Sequence, residues 1–555
     1  MKIYKLFLII FVFTILVGCE NSSKNENQPT NVETTINQEA IENNTEQNTQ
    51  NSSEIVSEQI TTQAKEEIQN PVEGGELVLS MRMPKTLNPL VNEDITVDNI
   101  LKLIFEPLFT IDSETLKPIP NIASDYSIEE GGKTVSITIR DDIYWHDGKQ
   151  LTAKDVIFSL DTIRATENSL YKSALNNVAS YSNKGNKVII NYTEPYSFFM
   201  YNLCFPIIPS NYYKNNLEIE NSKSLKPIGN GSFKYSSYRL ANELILEKTK
   251  SFKGTPYINT IKVIITSDKQ TDLYAFEKNI INSLTIDFSN WGNLNYKREK
   301  ISTGINSNNF EYLGFNFDKD IFKNVELRKA IAYSIPKDEI IKNIYLNNGE
   351  KALAPINPKS FLAYKELEMY DYNLAKSIEA LGKANLTKEM TTLNLLVNKE
   401  NKERTETAEL IQKRLSQLGL NINIVKKPFE EYKKDLETGN FDMFLAGIDF
   451  GTIPNLQSFL MSSGTGEGGI NYQNFKDSRM DLLVSNLYNA TSEEVFLKAA
   501  KDMQQYFAEQ LPVVGILFKD QILLTDYTVK GDKKPNIYNQ YNNIEKWYIE
   551  QEVGN

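Results

Sequence analysis

Between Lys133 and Leu160 the chain reads KTVSITIRDDIYWHDGKQLTAKDVIFSL, and this stretch narrows its folding choices more than any other. Val135, Ile137 and Ile139 alternate with Ser136 and Thr138, the period-2 pattern of a half-buried strand. Gly131-Gly132 ahead of it closes a hairpin, and Asp147-Gly148 makes a tight turn after Trp145-His146. Thr152-Ala153-Lys154-Asp155 has capping-box spacing and predicts a helix whose Val156, Ile157 and Leu160 face inward. Strand, turn and capped helix are thus specified together.

The same residues carry a family resemblance. Ile139-Arg140, Trp145-His146-Asp147-Gly148, Leu151-Thr152-Ala153, Asp155-Val156 and Phe158-Ser159 resemble the signature of the extracellular solute-binding proteins of peptide and nickel ABC transporters, solute-binding family 5. Weaker likenesses follow that family's pattern at Thr86-Leu87-Asn88-Pro89, Ile104 to Leu108, Pro118 to Asp125, Pro227 to Phe233, Val325 to Ile341 and Tyr370 to Lys376. In the family the central motif is scaffold, so it implies the fold without the solute. The implied fold is α/β and two-lobed, of the periplasmic-binding-protein type II (Venus flytrap) kind, with an extra subdomain in the first lobe.

Ahead of the body, Met1 to Gly18 reads as an export signal: Lys2 and Lys5 precede an apolar run, Leu6 to Val17, too short to span a bilayer stably. Leu16-Val17-Gly18-Cys19 matches the bacterial lipobox, which implies an acylated Cys19 and a lipid anchor on the outer face of the cell membrane. Residues 19–73 form the next unit. From Glu20 to Glu73 there is no aromatic residue, and eleven Glu oppose only Lys24 and Lys65, so an acidic tether is expected there. That segment holds most of the chain's formal charge of −12. The remainder carries no argument for a nucleic-acid partner. Few Arg beside abundant Lys, Asn and Ile fit an AT-rich, Gram-positive source.

Residues 74 to 555 are too many for one core, so two lobes are expected. We place lobe I at 74–315, with the subdomain at about 113–205, lobe II at 316–510, and a return to lobe I at 511–555. The chain should cross near Tyr312 to Asn316 and again at Leu511 to Leu517. Thr391 to Val425 reads strand, helix, strand and predicts a parallel pair. Pro336 should end one helix and let Lys337 begin another.

The chemistry argues for binding, not catalysis. One histidine, His146, rules out multi-histidine metal sites and sits in the scaffold motif. Gly131-Gly132-Lys133-Thr134 is no phosphate loop, since a strand follows it and Ser127 stands where the first glycine is required. Once Cys19 is acylated, Cys204 is alone and reads as a small buried hydrophobe. No cofactor, metal or catalytic residue is expected.

The family resemblance implies ligand contacts at Asp94, Ile95, Thr96 and Val97, the segment that would pair with an extended peptide, or else a plain surface loop. Asp449, in Ala446-Gly447-Ile448-Asp449-Phe450, matches the family's acidic residue for a peptide α-ammonium, although the family's Trp and Asp-Pro are missing here. Tyr472 would wall the cleft. Arg404 suits a peptide carboxylate, against a solvated helix face. The implied protein is a non-enzymatic, monomeric receptor that closes on a short peptide and delivers it to ABC permease subunits. The same fold holding an oligosaccharide or chelated metal, a surface sensor, and a hydrolase using cleft carboxylates are the other readings.

Overall fold

The computed structural model describes residues 71–214, 225–286, 299–385, 392–466 and 468–550. The export signal, Cys19 and the acidic segment through residue 70 lie outside the described residues. Two apolar cores organise the rest. One gathers Leu77, Leu79, Ile104, Phe109, Ile137, Leu160 and Trp547; the other gathers Phe310, Tyr312, Leu395, Phe444, Phe507 and Phe518.

Around the first core lies a four-stranded sheet in the order Glu76–Met81, Thr260–Ile265, Glu243–Lys248, Phe233–Arg239, whose first pair is parallel. A second, antiparallel sheet runs Ala123–Glu129, Thr134–Ile139, Lys187–Tyr192, Val178–Lys184. Here the motif forms as its pattern demands. Val135, Ile137 and Ile139 are buried, and Gly131 and Gly132 take the left-handed conformation in the hairpin turn. The helix Ala153–Ala165 starts where expected, with the Asp155 carboxylate accepting the Thr152 N–H at 2.8 Å. Ile157 is only half-buried; Val156, Leu160 and Ile163 face the core instead.

His146 is indeed scaffold. Gly229 N–H donates to its Nδ1 at 3.3 Å, and its Nε2 lies 3.1 Å from the Gly231 carbonyl. Burial pulls its pKa down to about 4, so the ring is neutral at pH 7. Both glycines press on a third motif: a Cβ at Gly229 would lie 2.0 Å from the Ile104 carbonyl oxygen. Three family-like segments therefore meet in one joint.

The second core surrounds a seven-stranded sheet whose main path is Ser283–Ile286, Val513–Asp526, Lys300–Phe315, Met443–Asp449, Thr392–Asn398, Asn421–Lys427. The predicted parallel pair is present, joined by the helix Lys402–Ser416. Two long strands, Lys300–Phe315 and Val513–Asp526, run from one core to the other. Ile305 and Leu523 pack in the first, Phe310 and Phe518 in the second, and their pairing shifts register between Ile305 and Asn309. The strand thus passes from one core to the other between Ile305 and Phe310, ahead of Tyr312.

Pro336 separates the helices Val325–Ser334 and Lys337–Asn343. Lys337 is buried and donates to the carbonyls of Ala352 at 2.9 Å and Met369 at 2.8 Å. Burial drags its pKa to about 7, with Asp371 and Asp338 opposing and Lys351 reinforcing the shift. The unfolded chain therefore binds the extra proton from about pH 7 to the ordinary lysine value, and stability should rise with pH across that window. Urea midpoints from pH 6 to 9 should show this slope in the native chain and a flatter one in Lys337→Met. Parallel slopes would refute the assignment.

Candidate functional site

A cavity of about 380 Å³ lies between the two cores. Its floor is formed by the strand Ser283–Ile286, through Ser283 and Thr285, and by the crossing strands, through Ile305 and Gln521. Arg82, Thr96, Lys102 and Asp272 wall it on the side of the first core, with Asn536 to Tyr541 of the returning chain. Asp449, Gly451 and Thr452 close it from the second.

Two cations of the first-core wall are paired. Arg82 donates through Nη2 to Asp272 at 2.6 Å and through Nη1 to the Thr266 hydroxyl at 2.5 Å. Lys102 pairs with Asp98 at 2.8 Å and lies 4.7 Å from the centre of the Tyr538 ring, while the Tyr171 hydroxyl donates to Asp98 at 2.7 Å. These cations carry their own counterions, and partnered charges are the ones a half-buried wall tolerates.

Asp449 differs. It is the last residue of the strand Met443–Asp449, paired across the sheet with Asn309, and its side chain is exposed at the cavity. Its Oδ1 accepts the Gly451 N–H at 2.8 Å, and among the described residues it makes no ion pair. The Asn308 amide donates to the Gly451 carbonyl at 2.8 Å, which fixes the loop beyond it.

The segment Asp94 to Val97 does not form an extended edge. It opens the helix Ile95–Leu101, because Asp94 accepts from Thr96 N–H at 2.8 Å and Val97 N–H at 3.2 Å as an N-cap. Ile95 and Thr96 reach the cavity, whereas Val97 is core and Asp94 caps. Arg404 is neither a free fork nor a solvated helix face. Its Nε and Nη2 clasp Glu311 at 2.7 and 3.0 Å, away from the cavity lining. Tyr472 is half-buried against the second core, also off the cavity.

Arg82, Lys102, Asp272 and the Asn536–Tyr541 stretch were missed by sequence reasoning. They converge from positions more than four hundred residues apart, and no local motif announces that meeting. Among the described residues no group of three His, Cys, Asp or Glu is placed to hold a metal, and no helix is long and apolar enough to cross a membrane.

Comparison with known proteins places this architecture. Residues 117–469 match the model for bacterial extracellular solute-binding proteins, family 5. The oligopeptide-binding protein AppA of Bacillus subtilis is 24% identical over 523 residues, covering 88% of this chain and 94% of that protein. The nickel-binding protein NikA of Staphylococcus aureus is 24% identical over 417 residues, 72% of this chain and 80% of its own. The solved ABC transporter substrate-binding protein CtaP of Listeria monocytogenes superposes with a TM-score of 0.71 at 21% identity, over 86% of this chain and all of that one.

Proposed function

The chain belongs to the bacterial extracellular solute-binding proteins of family 5, a non-enzymatic family, and from that premise we propose that it binds short peptides between its lobes and hands them to an ABC permease. Asp449 carries the reading. It is an exposed carboxylate with no ion pair among the described residues, at the wall of a cavity where Arg82 and Lys102 carry their own counterions. A peptide α-ammonium supplies the missing partner, and closing the lobes around it would strengthen the pair by excluding water. Ile95 and Thr96 contribute to the opposite wall. The similarity to AppA supports a peptide guest, and that to NikA marks a chelated metal as the rival. In this reading the acylated Cys19 tethers a monomer to the outer face of the membrane, and Asp94, Val97, Arg404 and Tyr472 support the site without touching the guest.

Titration calorimetry with random tri- to pentapeptides tests it. Native protein should release heat on binding, and Asp449→Asn should bind about 10- to 100-fold more weakly, the loss of one charge-assisted contact. The melting temperature of the unliganded variant should not move. N-acetylated peptides should bind native protein as weakly as free peptides bind the variant. Unchanged affinity removes Asp449 from the site, and heat from a nickel chelate alone replaces the peptide reading.

A further inference from the structure

Far along the chain from the crossing strands, a short segment of the first-lobe subdomain is plugged into the second lobe. Phe198 follows the sheet strand Lys187–Tyr192, yet it is fully buried in the second core, its ring 5.0 Å from Tyr488 and 5.0 Å from Phe496. Beside it, Ser197 N–H donates to the Tyr488 carbonyl at 2.9 Å. The Ser197 hydroxyl lies 2.7 Å from the Leu487 carbonyl and 2.9 Å from that of Tyr488, and it accepts the Ala490 N–H at 3.0 Å. Leu487 and Tyr488 end the helix Ser478–Tyr488, so a residue of one lobe satisfies the orphan carbonyls of a helix in the other.

Further contacts ring the plug. Phe361 N–H donates to the Thr115 carbonyl at 2.8 Å, and Lys117 pairs with Glu493 at 2.5 Å. Gly132, in the hairpin turn of the signature motif, has a left-handed φ of +95° that favours glycine, and a Cβ there would press on Thr491 at 3.1 Å. A small open pocket of about 30 Å³ lies among Lys117, Tyr126, Gly132 and Glu493. A buried aromatic centre and a charged rim are the anatomy of an interface between separable bodies, not of a continuous core.

This interface shares a seam with the ligand cavity. Thr452 and Ile537 line the cavity and also a second void of about 10 Å³, whose walls include Leu116 and Tyr201 beside the plug. We propose that Ser197 and Phe198 form a latch, ringed by the Lys117–Glu493 pair, which holds the two lobes closed and must withdraw from its socket when they open. The latch rests on the two-lobed fold and not on the identity of the guest.

Amide hydrogen exchange of the unliganded full chain tests it, because two amides on opposite sides of the interface, Ser197 and Phe361, each donate across the seam. If the latch opens as a unit, both exchange at one common rate, faster than global unfolding. Lys117→Glu sets like charges face to face at the rim and should speed both about 2- to 5-fold, as expected of a partly exposed pair. Adding Glu493→Lys should restore the native rate. Unrelated rates at the two amides, or rates that the charge reversal leaves untouched, overturn the latch. So does exchange only through global unfolding, which marks a permanent joint.

Discussion

Arg404→Met will destabilise the second lobe by about 3 kcal/mol, the low end of the penalty for breaking a buried pair, because Lys519 keeps one contact to Glu311. Glu311 is 3% exposed on the strand Lys300–Phe315, and three contacts neutralise it. Two come from Arg404, at 2.7 and 3.0 Å, and one from Lys519, at 2.8 Å. Burial alone would raise the Glu311 pKa, but the two cations outweigh it and hold the carboxyl below its ordinary value. Arg404 sits in the first turn of the helix Lys402–Ser416, where the macrodipole disfavours a cation, so Glu311 is what holds it. Gly447 makes room for the pair: a Cβ there would lie 2.1 Å from Arg404 Nη2 and 2.4 Å from Glu311 Oε1.

The prediction separates the roles weighed for Arg404. Urea denaturation at pH 7 should show the full loss, while peptide affinity measured well below the melting temperature stays unchanged. Pairing Arg404→Met with Glu311→Gln should recover much of the stability, since it removes the charge as well as its partner. The sign with pH follows from the depressed acid: its contribution is present above the unfolded carboxyl value and fades as pH falls through the lower folded one. Glu311→Gln should lack that acid-side decline. A loss under 1 kcal/mol for Arg404→Met would sink the account.

How far the sequence could be read depended on the range of the interactions. The strand, turn and helix from Thr134 to Ala165 were legible because period, turn glycines and the Thr152–Asp155 cap are all written within a few residues of one another. Asp449 was legible as a strand end because Met443 to Gly447 is an apolar run of the kind a central strand needs. The helix opened by Asp94 was misread. The family resemblance implied a segment that pairs with an extended peptide, while the local Asp94–Thr96 contact decides for a helix. Arg404 was misread for the opposite reason: its partner Glu311 lies 93 residues away, on a strand whose pairing no local pattern fixes. The latch at Phe198 was invisible, since an apolar residue beside a sheet does not say which lobe will bury it.

Arg328 shows the same long range, and its replacement should have the second largest effect. It lies in the helix Val325–Ser334, which resembles a family motif, and among the described residues its buried guanidinium has no carboxylate partner. Nε donates to Gln510 and Leu511 carbonyls at 3.2 and 3.1 Å, Nη2 to Gln510 at 2.5 Å, and Nη1 to Phe322. Gln510 ends the helix Glu493–Gln510, whose C-terminal dipole supplies the negative counterpart, and Phe317 stacks 4.8 Å from the guanidinium carbon. Burial lowers its pKa to about 10, so it stays charged at pH 7. Leu511, held at φ +43°, is where the chain turns from that helix into the strand Val513–Asp526 that recrosses to the first lobe. The fork thus fixes the angle at which one of the two crossing strands starts. Lysine keeps the charge but offers one compact donor head, which cannot reach carbonyls on two segments at once. Arg328→Lys should therefore lose about 3 kcal/mol by urea denaturation at pH 7, nearly as much as Arg328→Met, because each leaves buried carbonyls unpaired at about 1–3 kcal/mol apiece. If lysine instead comes within 1 kcal/mol of the native protein, charge alone holds the helix end and the planar fork is dispensable.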